Sequence, residues 1–115
     1  YIMATIFNKI INKEVDADIV YENKFVIAFK DILPQAPIHI LIIPKIDIPT
    51  VNDLNSNNSK MVSHMFLAAK DIAKNLNISE SGYRLIMNCN DDGGQSVYHI
   101  HLHLLGGRKL DWPPG

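Results

Sequence analysis

Three histidines, His99, His101 and His103, stand at every second position of the run Tyr98-His-Ile-His-Leu-His-Leu-Leu105. Strict alternation predicts a β-strand, because successive side chains in a strand point to opposite faces. One face then carries the imidazoles, and the other carries Tyr98, Ile100, Leu102 and Leu104. Imidazole can act as a nucleophile, an acid or base, a hydrogen-bond donor to phosphate, or a metal ligand. Alternate positions lie ~6.5–7 Å apart along a strand and the outer two ~13 Å apart, so adjacent pairs can share a ligand. A zinc site would need a third protein ligand, for which His39, Cys89 and the nearby acids are the candidates. Neither a Cys-x-x-Cys nor a His-Glu-x-x-His pattern accompanies them. The expectation is therefore no metal.

His39 lies in the apolar run Ile38-His-Ile-Leu-Ile-Ile43, on the face shared with Leu41 and Ile43. If this strand neighbours the histidine strand, His39 can orient His99 through a hydrogen-bond relay. His64 falls on the polar side of a helix and reads as surface. Just before the three histidines, Asp92-Gly-Gly-Gln-Ser96 reads as a turn in which glycines let backbone N–H groups approach an anion. Gln95 and Ser96 add side-chain donors, and Asn88 ends the neighbouring strand within reach. Donors converging on imidazoles describe a site for a phosphate that develops charge on its oxygens.

These residues need a frame. Thr5-Ile-Phe-Asn-Lys-Ile-Ile11 has apolar residues at helical spacing with Thr5 as N-cap. Asp18–Glu22 and Phe25–Phe29 form a predicted hairpin turning at Asn23-Lys24. A Pro34/Pro37 loop leads into a buried strand from Ile38 to Ile43, which Pro44 ends. A helix is predicted from Ser59 to Leu76, with stripes Met61, Met65, Ala68, Ile72 and Val62, Phe66, Ala69, Ala73, Leu76. That face is wider than one sheet requires, which points to a partner subunit. Tyr83–Asn88 is the next strand, and Asp91–Gly94 turns into the histidine strand. The predicted fold class is α+β, with an antiparallel sheet of about five strands and a long helix on one face.

The 115 residues suit one domain spanning 1–115. The net charge is −1, from 11 basic and 12 acidic residues, which gives no basic footprint for nucleic acid. No apolar run approaches the ~18–20 residues of a membrane span. The lone Cys89 permits no intrachain disulfide, and no leader-like segment is evident. The expected location is cytoplasmic, with the nucleus as a further compartment. The chain begins at Tyr1, and Met3 is read as a candidate natural start.

His99-Ile-His-Leu-His-Leu-Leu105 resembles the His-φ-His-φ-His-φ-φ signature (φ apolar) of the histidine triad superfamily. Thr5–Ile11, Asp31–His39, Asp92–Tyr98, Gly106–Arg108 and Trp112–Gly115 resemble its nucleotide-binding branch. The resemblance implies a homodimer with a continuous ten-stranded sheet, and hydrolysis of purine nucleoside 5′-phosphoramidates without metal or other cofactor. It implies that His101 is the nucleophile and His103 a donor to a phosphate oxygen. His99 and His39 orient or relay protons. Ser96 and its turn (Gly94, Gln95, Val97) serve the phosphate and the leaving group, with Asn88 beside them. Asp31 accepts from the ribose hydroxyls, while Ile6, Phe7, Ile10, Phe29, Ile32 and Leu41 enclose the base. Trp112 sits near the partner's site. The ligand implied is a purine nucleotide such as AMP or GMP. Alternatives are a nucleotide-binding scaffold and a dinucleoside polyphosphate hydrolase; Gly93–Ser96 and Trp112–Gly115 argue against the latter. His103, where a uridylyltransferase would have glutamine, and the lack of a zinc-finger extension separate the chain from two further branches. Leu33 stands where a small polar residue is more usual.

Overall fold

The computed structural model describes residues 4–115, and the candidate start Met3 lies outside them. Thr5 caps the first helix, α1 (Ile6–Ile11): its hydroxyl accepts from the Phe7 N–H, while Asn8 Oδ1 accepts from the Thr5 N–H at 2.7 Å. This reciprocal box satisfies N–H groups that a six-residue helix would otherwise leave open. It also fixes the direction in which Phe7 and Ile10 enter the core. Strands β1 (Ile19–Glu22) and β2 (Val26–Lys30) form the expected hairpin. Asn23 closes its turn by accepting from the Phe25 and Val26 N–H groups. Then come β3 (Ile38–Pro44), a 3₁₀ turn (Val51–Asp53) and the long helix α2 (Lys60–Asn75). Strand β4 (Tyr83–Ile86), a single helical turn α3 (Asn90–Gly93) and β5 (Leu102–Gly106) complete the order.

The sheet is antiparallel, in the order β1-β2-β3-β5-β4. Its two faces bury different clusters, as the period of two requires. Val26, Ala28, Ile40, Ile42, Leu102 and Leu104 meet Met65, Ala68, Ala69 and Ile72 of α2. On the opposite face Ile27, Phe29, Leu41 and Ile43 meet Phe7 and Ile10 of α1. α1 covers only part of that face, and the remainder holds His39, His103, Leu105, Arg84 and Ile86 along one cleft. No helix among the described residues is long and apolar enough to cross a membrane.

The structure corrects the predicted histidine strand. The β3–β5 ladder stops at Ile42 opposite Leu102, so His99, Ile100 and His101 precede the strand. Continuing the register would set Ile100 against Pro44, which has no N–H to contribute. Instead the Ile100 N–H donates to the Ile48 carbonyl at 2.8 Å. The two-face reading fails with it: His99 and Ile100 are both buried, and Tyr98 is 43% exposed. The strand predicted to reach Asn88 ends at Ile86. The Asp91–Gly94 turn is a helical turn that Gly94 terminates at φ +80°, a conformation suited to glycine. His64 is not simply solvated, since its ring stacks on Phe25 at 3.8 Å between centroids.

Because α1 is short, its cap carries a large share of its stability. Thr5→Ala is expected to lower unfolding stability by about 1 kcal/mol. Urea unfolding followed by far-UV dichroism measures this, and an unchanged midpoint would remove the cap from the account.

Candidate active site

Register brings His39 and His103 together. Leu41 faces His103 and His39 faces Leu105, so the two histidines lie on a cross-strand diagonal of the same face. His39 Nε2 and His103 Nδ1 are 2.9 Å apart. The direction of that bond follows from a third group. The Gln35 N–H donates to His39 Nδ1 at 3.1 Å, so a neutral His39 must carry its proton on Nε2. His39 Nε2–H therefore donates to His103 Nδ1, and His103 in turn holds its proton on Nε2. Asp31 Oδ2 lies 3.4 Å from His39 Nε2, and Asp31 Oδ1 accepts from the Leu33 N–H at 2.8 Å. His39 thus pairs with His103, not with His99 as the sequence suggested. Pro44 ends the ladder before His99 can reach the shared face.

His99 and His101 are fixed by backbone carbonyls. His99 Nε2–H donates to the Pro44 carbonyl at 2.8 Å, an acceptor left free where the β3–β5 ladder ends. His101 Nδ1–H donates to the His99 carbonyl at 2.9 Å. A carbonyl only accepts, so a neutral His101 carries its lone pair on Nε2. The Phe7 ring packs edge-on against both rings, at 5.9 Å from His99 and 5.1 Å from His101. Among the described residues, His99 Nδ1 is the fully buried side-chain nitrogen without a partner. It faces Asp47 Oδ1 at 3.5 Å.

The cluster is electrostatically tuned against positive charge. Burial, then the neighbouring His101 and His39, push His103 down to about 4, while Asp31 opposes them. Burial is also the main cause that lowers His39, His99 and His101 below the ordinary histidine value. Asp31, His39 and His103 bring ligand-type atoms within 4.8 Å of one another. That set is a poor fit to a metal, because a lone pair on His39 Nε2 would place an Nδ1–H against the Gln35 N–H.

The predicted nucleoside residues converge. Ile6, Phe7, Ile10, Phe29, Asp31, Ile32 and Leu41 line one cavity of about 540 Å³. Phe7, Ile10, Phe29 and Leu41 are also core, so they offer edges while packing on one another. Ile32 is 92% exposed at the rim. Val15–Asp18 and Lys30 complete the wall; the α1–β1 connection carried no motif by which sequence could find them.

The Gly-Gly-Gln-Ser segment divides its tasks unlike the expectation. Gln95 is buried, its Nε2 donates to the Pro49 and Val97 carbonyls, and its Oε1 accepts from the Asn90 N–H. The Gly94 and Gln95 N–H groups close the α3 turn onto Asp91 and Asn90. These two residues therefore brace the loop and have no donors left for an anion, whereas Ser96 is exposed. Asn88 and Gly93 line a second cavity of about 600 Å³ with His39, His103, Gln35, Arg84 and Trp112. Trp112, expected at a partner's site, lines this cleft of its own chain, 80% exposed. Sequence reasoning missed Arg84, which the β4–β5 pairing brings beside the histidines, and Gln35, whose loop backbone reaches His39 four residues on.

The depressed histidines fix a pH dependence. Each binds a proton more readily in the unfolded chain than in the fold, so stability falls as pH drops below the ordinary ~6.5. For His103 the decline continues until its folded value of about 4 and then levels off. Thermal unfolding midpoints between pH 8 and pH 4 are expected to fall over this window, with a shallower slope in His103→Asn. Equal slopes would remove His103 from the effect.

Comparison with known proteins identifies the family. The HIT domain family model matches residues 12–110. The purine nucleoside phosphoramidase of Escherichia coli K12 is 58% identical over 106 residues, covering 92% of this chain and 89% of that protein. An HIT family hydrolase from Legionella pneumophila superposes with a TM-score of 0.95 at 52% identity, covering 97% of this chain and 100% of that one. A histidine triad nucleotide-binding protein from Candida albicans superposes at 0.82 with 29% identity, covering 96% and 83%. The family match over most of the chain, together with these relatives, shows that the chain belongs to the HIT domain family.

Proposed function

We propose that this protein is a purine nucleoside phosphoramidase that cleaves the P–N bond of adenosine 5′-monophosphoramidates. The observation that carries the reading is the tautomer of His101. Its Nδ1–H is held by the His99 carbonyl, which leaves a lone pair on Nε2 at neutral pH. The Escherichia coli relative's activity supports the choice of substrate.

The base occupies the apolar cavity, and Asp31 at its edge accepts from the ribose hydroxyls. That places the α-phosphate at the histidines. His101 Nε2 attacks phosphorus, the P–N bond breaks, and the amine leaves with a proton that reaches it from solvent through the Ser96 hydroxyl. His103 Nε2–H donates to a phosphate oxygen, and His39 holds His103 in that tautomer. Water then attacks the nucleotidyl-His101 intermediate, returns the proton and releases the nucleoside monophosphate. Splitting one displacement in two is the logic of covalent catalysis. A preset donor at the phosphate avoids reorganisation as charge develops. No step needs a metal.

The active unit in this reading is a homodimer. β4 is the outer strand of the sheet, and Phe66 and Leu67 on α2 are 47% and 51% exposed. Pairing β4 with its copy would give a ten-stranded sheet and cover that helix face. Sedimentation at micromolar concentration should give twice the chain mass, and a monomer would remove this part of the reading.

His101→Ala is expected to abolish turnover of adenosine 5′-phosphoramidate while leaving the fold intact by circular dichroism. In the wild-type protein, rapid quenching with labelled substrate and mass spectrometry should trap nucleotidyl-His101. Retained turnover in the variant, or label on another residue, would sink the nucleophile assignment.

A further inference from the structure

Displacement at phosphorus leaves one buried imidazole unused. Each other imidazole of the site has its second nitrogen engaged. His39 Nδ1 accepts from the Gln35 N–H, and His103 Nδ1 accepts from His39. His101 keeps Nε2 for phosphorus. His99 is different: its Nε2–H is spent on the Pro44 carbonyl, and its Nδ1 is buried without a partner. The His99 ring is 1% exposed, and this nitrogen faces Asp47 Oδ1 at 3.5 Å. In the neutral state a lone pair therefore meets a carboxylate, two acceptors with no proton between them. One proton on Nδ1 turns that mismatch into a charge-assisted donor–acceptor pair.

The carboxylate is held in place. Asp47 Oδ1 accepts from Asn8 Nδ2 at 2.6 Å, and Asn8 Oδ1 closes the Thr5 cap of α1. Asp47 thus ties the first turn of α1 to the segment that follows β3. Its side chain is 41% exposed, so a proton from solvent reaches the pair although the ring itself is closed off. α1 presents Phe7 to His99, and β3 presents the Pro44 carbonyl, both uncharged. Asp47 is the carboxylate that acts on His99, and His101 is its titratable neighbour. At His101 the acting carboxylate is Asp31.

We infer that Asp47 is a positioning residue that acts through His99: the two form the proton-binding pair of the histidine cluster, which takes the first proton in acid and leaves the His101 lone pair free for phosphorus. The inference rests on the phosphoramidase reading for the role of His101. Geometry sets the order of protonation. A second proton on His39 would put an Nδ1–H against the Gln35 N–H, and one on His103 would put an Nδ1–H against the His39 N–H. A proton on His101 Nε2 gains no protein acceptor among the described residues. At His99 the added proton meets a carboxylate. Burial lowers His99 below its ordinary value, and the Pro44 carbonyl and then Asp47 oppose it. Burial lowers His101 as well, and a charged His99 beside it lowers it further. The first proton thus repels the second from the nucleophile.

The test follows the imidazole nitrogens of ¹⁵N-labelled protein by NMR as pH falls from neutral. In the wild-type protein both nitrogens of His99 should carry protons at a pH where His101 still carries one. Asp47→Asn keeps an oxygen for Asn8 and removes the charge, and it should lower the His99 midpoint by about one unit. Asp47→Glu keeps the charge and should restore most of that shift. The second readout is the acid limb of kcat/KM for adenosine 5′-phosphoramidate, which reports the nucleophile of the free enzyme. In Asp47→Asn this limb should move toward neutral pH, because His101 then titrates without a charged neighbour. A loosened α1 would lower the rate at every pH and leave the limb in place. Three results overturn the inference: His101 taking its proton before His99, a His99 midpoint unchanged in Asp47→Asn, or an acid limb that does not move. The ring titration needs no turnover. A wild-type protein that leaves the substrate intact at every pH counts against the phosphoramidase reading, and the titration then decides the His99–Asp47 pair by itself.

Discussion

The site depends on one pairing, that of β3 with β5. Its register sets His39 and His103 on a diagonal of one face, where their rings meet at 2.9 Å. A one-residue slip of β5 against β3 would send His103 to the face that packs on α2 and leave Leu104 in the cleft. The burial of both strands opposes such a slip. Ile40, Ile42, Leu102 and Leu104 all face α2 and are almost fully buried. The apolar half of the strand pair thus holds the histidine half in register.

Where that pairing stops matters as much as where it runs. Pro44 cannot donate to the ladder, so the chain between His99 and His101 is free to leave strand geometry. The Pro44 carbonyl, which no longer has a ladder partner, takes the His99 ring. The His99 carbonyl takes the His101 ring in turn. Each imidazole is therefore assigned its tautomer by a group of fixed sense, a carbonyl or the Gln35 N–H. Burial removes the alternative of a second proton, most strongly at His103. Neutral imidazole at neutral pH here results from packing and backbone geometry, with Asp31 as the opposing charge.

The sequence revealed the parts of the site that depend on local alternation. α1 and its Thr5 cap, the Asn23 hairpin and the Ile38 strand follow from period and turn chemistry and stand where expected, whereas the residues that the family resemblance assigned to a nucleoside line one cavity. It misjudged what depends on which strand lies beside which. His39 was aimed at His99, because alternation alone cannot say where a ladder ends. Gln95 was read as a donor to an anion, because its residue type suits that task equally well. The structure shows it buried and bonded to Pro49, a residue 46 positions away. Arg84 looked like an ordinary strand residue, and its place in the cleft required knowing that β4 pairs with β5.

Charge is also distributed across the site in a way that suits a substrate with distinct ends. Asp16, Asp18 and Asp31 line the nucleoside cavity, with Lys30 paired to Asp18. Ribose hydroxyls and the amino group of adenine are donors, so in the phosphoramidase reading carboxylates along this largely apolar cavity would favour them and disfavour phosphate in their place. Arg84 lines the cleft on the other side of the histidine pair, bonded to the Asp111 carbonyl. Between the two stand the neutral histidines, which supply directed N–H donors without a fixed positive charge. In the phosphoramidase reading, a nucleotide entering this cavity phosphate-first would meet repulsion from its carboxylates, and one entering base-first would meet acceptors and then the histidine donors. On that reading, the sequence of fields along the cleft would order the substrate before any contact with His101 is made.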